Sequence, residues 1–164
     1  MSTRAEVIAD TGLKGLAACH ALSDATDEWL RGVFATAVDG EKKADRIALI
    51  AVGGYGRREL APFSDLDVLL VHDGVKNIGD IASKIWYPVW DAGLKLGHSV
   101  RTPKETMQMC TTDLDTATAL VTARRLAGSE SLAAEVIAGA SDIWCRRGRE
   151  WLVELHKRVL ERYA

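Results

Sequence analysis

The chain has 164 residues, 48% apolar and 27% charged, with 21 basic against 23 acidic side chains and a formal net charge of −2. That length suits one domain with one core, and the near balance of charge argues against a nucleic-acid partner, because no basic stripe offers a track for a phosphate backbone. Three cysteines, Cys19, Cys110 and Cys145, at long, unpatterned spacings argue against a disulfide framework or a zinc cluster, and with no leader-like start and no run of ~18 apolar residues the expected location is the cytoplasm, with no membrane partner.

Residues 1–45 read as an N-terminal helical region in which Ala17, Leu22, Trp29, Leu30, Val33 and Phe34 mark helical faces, ending in a charged bridge from Asp39 to Asp45. Residues 46–103 read as an α/β core. From Ile47 the run IALIAVGG is continuous, apolar and bounded by glycines, which predicts a strand buried on both sides. Gly54 to Leu60 predict a turn leading into a short helix, Leu66 to His72 a second buried strand, Ile78 to Ala92 a helix carrying Ile81, Ile85, Trp86, Val89 and Trp90, and Leu96 to Thr102 a third strand.

Residues 104–164 read as a helical part: Lys104 to Cys110, Leu114 to Leu126, Ser131 to Ala138 and Asp142 to Tyr163. The last carries Trp144, Trp151, Leu155 and Val159 on one apolar stripe, with Arg146, Arg147 and Arg149 on a solvated face. No linker composition divides the chain, so residues 1–164 are expected to be a single domain. The last helix runs on without a stop signal, which suggests a piece of a longer multidomain protein. Oligomeric state is not legible.

The chemistry lies in GGYGRRELAPFSDLD, from Gly53 to Asp67. Two glycines directly after a buried strand allow a tight turn and a close backbone approach to a ligand; a purely structural turn would need them just as much. Asp65 and Asp67 sit on alternate positions at the mouth of the second strand, so both carboxylates face one side while Leu66 faces the core. A divalent cation relieves their repulsion, and Mg²⁺ is typically held by one or two carboxylates plus substrate phosphates. A solvated Asp-x-Asp with Ser64 as a turn residue is the bland alternative.

Glycine pair and Asp-x-Asp together resemble the nucleotidyltransferase superfamily of the DNA polymerase β type. The longer string Gly-Gly-Tyr-Gly-Arg-x-Glu-Leu-x-Pro-x-Ser-Asp-x-Asp resembles more narrowly the N-terminal domain of the bifunctional PII uridylyltransferase/uridylyl-removing enzymes. Trp90-Asp91 with Gly97 to Thr102, and Leu114 to Gly128 with Thr116, Ala117, Thr118 and Arg124, are similar to later parts of the same domain. The resemblance implies an α/β fold with a small palm-like sheet of about three to five strands flanked by helices. It implies that Gly53 and Gly54 bind a triphosphate, that Asp65 and Asp67 bind Mg²⁺ (or Mn²⁺) and are catalytic, and that Ser64 contacts a phosphate oxygen or orients Asp65. Arg57 is read either as neutralising phosphate or as pairing with Glu59; Arg58 has no assigned role, while Tyr55 and Pro62 are read as shaping the turn.

The implied reaction moves UMP or AMP from UTP or ATP to a tyrosine hydroxyl of the nitrogen-regulatory PII signal protein, releasing pyrophosphate. A nucleotidyltransferase with another acceptor and a non-catalytic nucleotide-binding or partner-docking module are the alternatives. The third acidic residue that many superfamily members carry on a later strand is missing from Leu96 to Thr102; Asp91 and His98 are the nearest substitutes, each with a plainer structural reading. His72-Asp73 reads as a strand end, not as part of a hydrolase cluster.

Overall fold

The computed structural model of the chain describes residues 3–163. After α1 (Arg4–Ala9), opened by a Thr3–Glu6 capping box, comes the long helix α2 (Gly15–Ala37). The apolar run then forms β1 (Ile47–Ala51), buried at every position. A short helix, α3 (Gly53–Gly56), leads to β2 (Leu66–His72), α4 (Ile78–Asp91) and β3 (Leu96–Arg101). The chain continues through α5 (Pro103–Thr112), α6 (Leu114–Leu120), β4 (Arg124–Gly128) and α7 (Glu130–Tyr163). No helix among the described residues is long and apolar enough to cross a membrane.

The four strands make one mixed sheet in the order β3-β2-β1-β4. β1 pairs antiparallel with β2 and β4, while β2 and β3 run parallel across the α4 crossover. Alternation sorts the side chains onto two faces. Leu49, Ala51, Leu66, Val68 and Leu70 meet Leu30 and Phe34 of α2 and Ile81, Ile85 and Val89 of α4. Ala48, Ile50, Leu69 and Val71 meet Cys110, Leu120 and the α7 residues Leu132, Val136, Ala140 and Ile143. Burying each such Leu or Ile fully is worth about 1.5–3 kcal/mol, so both faces of the sheet are fastened, as the unbroken apolar run requires. The fold is the α/β class expected, with a four-stranded sheet inside the anticipated range.

Three local expectations are corrected. The helix predicted over Leu114 to Leu126 stops at Leu120, and Arg124–Gly128 is a strand on the outer edge of β1. Its residues, Arg, Arg, Leu, Ala and Gly, carry no strand signal; pairing with the free edge of β1 overrides their helix propensity. The two helices predicted on either side of Gly139 are one, because a Cβ at Gly139 would lie 2.5 Å from Met107 Sδ: the glycine lets α5 approach α7 and does not end a helix. Finally, the short helix precedes the turn instead of following it. Arg57 is its C-cap, and Arg58 takes the left-handed conformation at φ 61°.

Candidate functional site

Asp67 is the second residue of β2 and half-buried; Asp65, just before the strand, is exposed with Lys95 Nζ 4.0 Å from its Oδ1. Leu66 between them is fully buried in the α2/α4 core, so the predicted alternation holds. Burial, and then the neighbouring charge of Asp65, push the Asp67 carboxyl above the usual carboxylate range.

Glycines flank the Asp67 carboxylate on both sides. Toward β1, Val52 N–H donates to the Asp67 backbone oxygen at 3.0 Å, and Oδ2 lies 3.5 Å from where a Cβ on Gly53 would stand. Gly53 itself needs its glycine for φ +59°. Toward β3, Asp67 pairs with Gly97, and a Cβ on Gly97 would overlap Oδ1. A cavity of about 330 Å³ opens on this face of the sheet, lined by Val52 on the β1 side, by Asp67, by Gly97, Ser99 and Arg101 of β3, and by Asp115 and Thr116 of α6 among others. Among the described residues no group of three or more His, Cys, Asp or Glu is placed to hold a metal ion.

The other predicted residues separate. Gly54 shares α3 with Gly53, and the nearest atom to a Cβ placed on it is Arg57 Nη2 at 3.7 Å, so packing alone does not demand a glycine there. The Ser64 hydroxyl bonds the backbone N–H and oxygen of Ala61, at 3.1 and 3.0 Å, and not Asp65. Arg57 Nε donates to Glu59 Oε2 at 2.6 Å, which is the second of its two readings. Asp91 is exposed at the end of α4 and does not line the cavity. The His98 ring rests against Trp86 and Trp90, with centroids 5.2 and 5.6 Å away.

The sequence reading missed what holds the glycine turn. Asp27 of α2 is only 3% exposed and accepts from Tyr55 Oη at 2.7 Å and from Arg124 Nη1 and Nη2 at 2.5 and 2.8 Å. Arg124 also donates to the backbone oxygen of Tyr55 at 3.2 Å and stacks over its ring at 5.1 Å. One buried carboxylate thus ties α2, the turn and β4 together. Burial, with the Asp27 charge, drives the Tyr55 phenol far above its ordinary value. Burial also works against the Arg124 charge, yet Asp27 outweighs it and holds the guanidinium above its ordinary value. No residue spacing could announce this, since its members lie 28 to 97 positions apart.

Two expectations follow. Gly97→Ala leaves β3 paired but displaces the Asp67 carboxylate, which its Cβ would overlap; any reaction at this site that needs Asp67 falls by about a hundredfold or more, as when one preorganised charged group is lost. Initial rates with an unchanged melting temperature check it. The second concerns pH. Because the folded value of Asp67 is raised, its protonated form favours the folded state; that contribution is complete below the unfolded value of about 3.9 and is lost as pH rises through the folded value. Melts in chelator from about pH 4 to pH 7 therefore decline more for the native chain than for Asp67→Asn.

No family model matches the chain. It is 43% identical over 145 residues to the bifunctional uridylyltransferase/uridylyl-removing enzyme of Streptomyces coelicolor, an alignment covering 87% of this chain and 17% of that protein. The enzyme of the same name from Mycobacterium tuberculosis is 40% identical over 126 residues, covering 76% and 16%, and that of Phenylobacterium zucineum 36% over 136 residues, covering 78% and 14%. The chain spans about one sixth of the length of these relatives. Among solved structures, a toxin-antitoxin crystal structure with AMP-PNP aligns at a TM-score of 0.46 and 12% identity, covering 79% of this chain and 98% of that one. With three quarters or more of its residues aligned at 36% identity or better to these enzymes, the chain belongs to the bifunctional uridylyltransferase/uridylyl-removing enzyme family.

Proposed function

We propose that residues 1–164 act as one catalytic domain, a metal-dependent nucleotidyltransferase that moves UMP, or AMP, from a nucleoside triphosphate to a tyrosine hydroxyl of the PII signal protein. The observation that carries this reading is the Asp67 carboxylate set between Gly53 and Gly97 with Asp65 beside it. The donor set suits Mg²⁺ or Mn²⁺: hard carboxylate oxygens that repel each other, with Gly97 making room for the Asp67 carboxylate and Gly53 leaving the other side free of a side chain. Bound there by Asp65 and Asp67, the cation would neutralise charge on the triphosphate. Gly53 and Gly54 offer backbone N–H groups and a side-chain-free approach to the phosphates. Catalysis is then mostly alignment of hydroxyl and α-phosphorus. The relatives' name supports UTP over ATP.

A second reading, a non-catalytic nucleotide-binding module, draws on the lack of a third carboxylate on β3. One assay separates them. Pyrophosphate release is measured with Mg²⁺ and each of four ribonucleoside triphosphates, with and without PII. Release that needs PII and Asp65 supports transfer; saturable metal-dependent binding without release favours the binding module, and neither binding nor release contradicts both.

A further inference from the structure

The two sides of Asp67 are not equivalent. The cavity runs along the Asp67 face of the sheet: Val52, just before the glycine turn, lines its β1 end, while Gly97, Ser99 and Arg101 line its β3 end, and neither Gly53 nor Gly54 is part of its lining. An in-line displacement places the entering and leaving oxygens on opposite sides of the phosphorus. With the triphosphate on the glycine turn, pyrophosphate departs on the β1 side and the attacking hydroxyl enters from the β3 side. We propose, resting on the nucleotidyltransferase reading above, that the β3 end of this cavity is the acceptor pocket. It receives a hydroxyl-bearing side chain of a protein acceptor, and Arg101 anchors a neighbouring carboxylate of that acceptor segment.

Arg101 carries the argument for an anionic group. It shares a face with Asp67, since β3 runs parallel to β2 in the register Asp67 to Gly97, Leu69 to Ser99 and Val71 to Arg101. Of the half-buried arginines among the described residues, Arg4, Arg46, Arg58, Arg124 and Arg147 each make a side-chain hydrogen bond, and Arg101 makes none. Its acidic neighbours are already engaged. Glu105 caps α5 through Thr102 at 2.7 Å, Asp113 caps α6 through Thr116 N–H at 2.6 Å, and Asp115 pairs with Arg158 at 2.6 Å. A guanidinium with no hydrogen bond of its own at the β3 end of the cavity is open to an incoming carboxylate, a charge-assisted pairing about twice as strong as a neutral hydrogen bond. Ser99 and Thr116 add hydroxyls to the same wall. In the step itself the acceptor oxygen bonds to the α-phosphorus, and the bond from that phosphorus to the bridging oxygen breaks. Pyrophosphate leaves with the electron pair, and the hydroxyl proton passes to solvent.

The test uses two variants that leave the glycine turn alone: Arg101→Met, which removes the anchor, and Ser99→Phe, which fills the cavity from β3. Nucleoside triphosphate binding with Mg²⁺ is measured by calorimetry, and kcat/KM for PII by initial rates. The expected result is unchanged triphosphate binding in both variants with kcat/KM for PII lower by on the order of tenfold or more, and partial recovery in Arg101→Lys. Native kcat/KM for PII in both variants overturns the proposal. So does an equal loss of triphosphate binding, which would make the cavity a nucleotide subsite. An unmodified chain that binds no triphosphate and transfers nothing overturns the proposed function itself, a result distinct from either.

Discussion

Asp65→Asn and Asp67→Asn are each expected to cripple the proposed nucleotidyl transfer while the chain stays folded. Asparagine keeps the shape of the side chain and removes the charge that would hold a cation. The Asp65 carboxylate is exposed, and its contact with Lys95 at 4.0 Å is a surface ion pair that contributes little to stability. Asp67 is half-buried beside a like charge, so asparagine there relieves repulsion and the melting temperature in chelator holds or rises. The expected loss of rate is about a hundredfold to a thousandfold or more, the scale for removing one preorganised charged group. Rates read beside melting temperatures check this: near-native transfer by either variant sinks the assignment, and lost activity without lost structure supports it.

Arg124→Met destabilises the chain strongly although Arg124 lies outside the glycine and aspartate motif. It leaves Asp27, 3% exposed, with Tyr55 and a long contact from Arg31 at 3.5 Å in place of a bidentate guanidinium. Breaking a buried pair by removing one partner costs about 3–5 kcal/mol; with Tyr55 still donating, about 3 kcal/mol is expected, or roughly 6–12 °C in melting temperature. The same arginine bonds the backbone oxygen of Tyr55 inside α3, so the turn loosens and transfer falls below the melting point as well. Arg124→Lys recovers charge but not the fork, and regains only part of the stability. A melting temperature within about a degree of native would mean that the network adds nothing net, an outcome known for some buried ion pairs.

What the sequence made legible follows its periodicities. β1 and β2 were readable because strands buried on both faces are continuous apolar runs, and α4 because Ile81, Ile85 and Val89 recur at helical spacing. β4 was not, because Arg124 and Arg125 become strand residues only through their partners on β1. Within the site, the placement of Asp65 and Asp67 followed from their spacing. The lack of a side chain at Gly97 acquires meaning only from its register opposite Asp67, and Asp27 only from contacts across the fold. Arg57 and Ser64 are engaged locally, by Glu59 and Ala61, in the pairing and turn roles that the sequence held open as alternatives.

The most direct test of nucleotidyl transfer is the intact mass of PII after incubation with the chain, Mg²⁺ and UTP or ATP. The account predicts a gain of one nucleotide monophosphate on PII with the native chain and none with Asp65→Asn. The same gain from Asp65→Asn, or no gain from a native chain that binds the triphosphate, would contradict it.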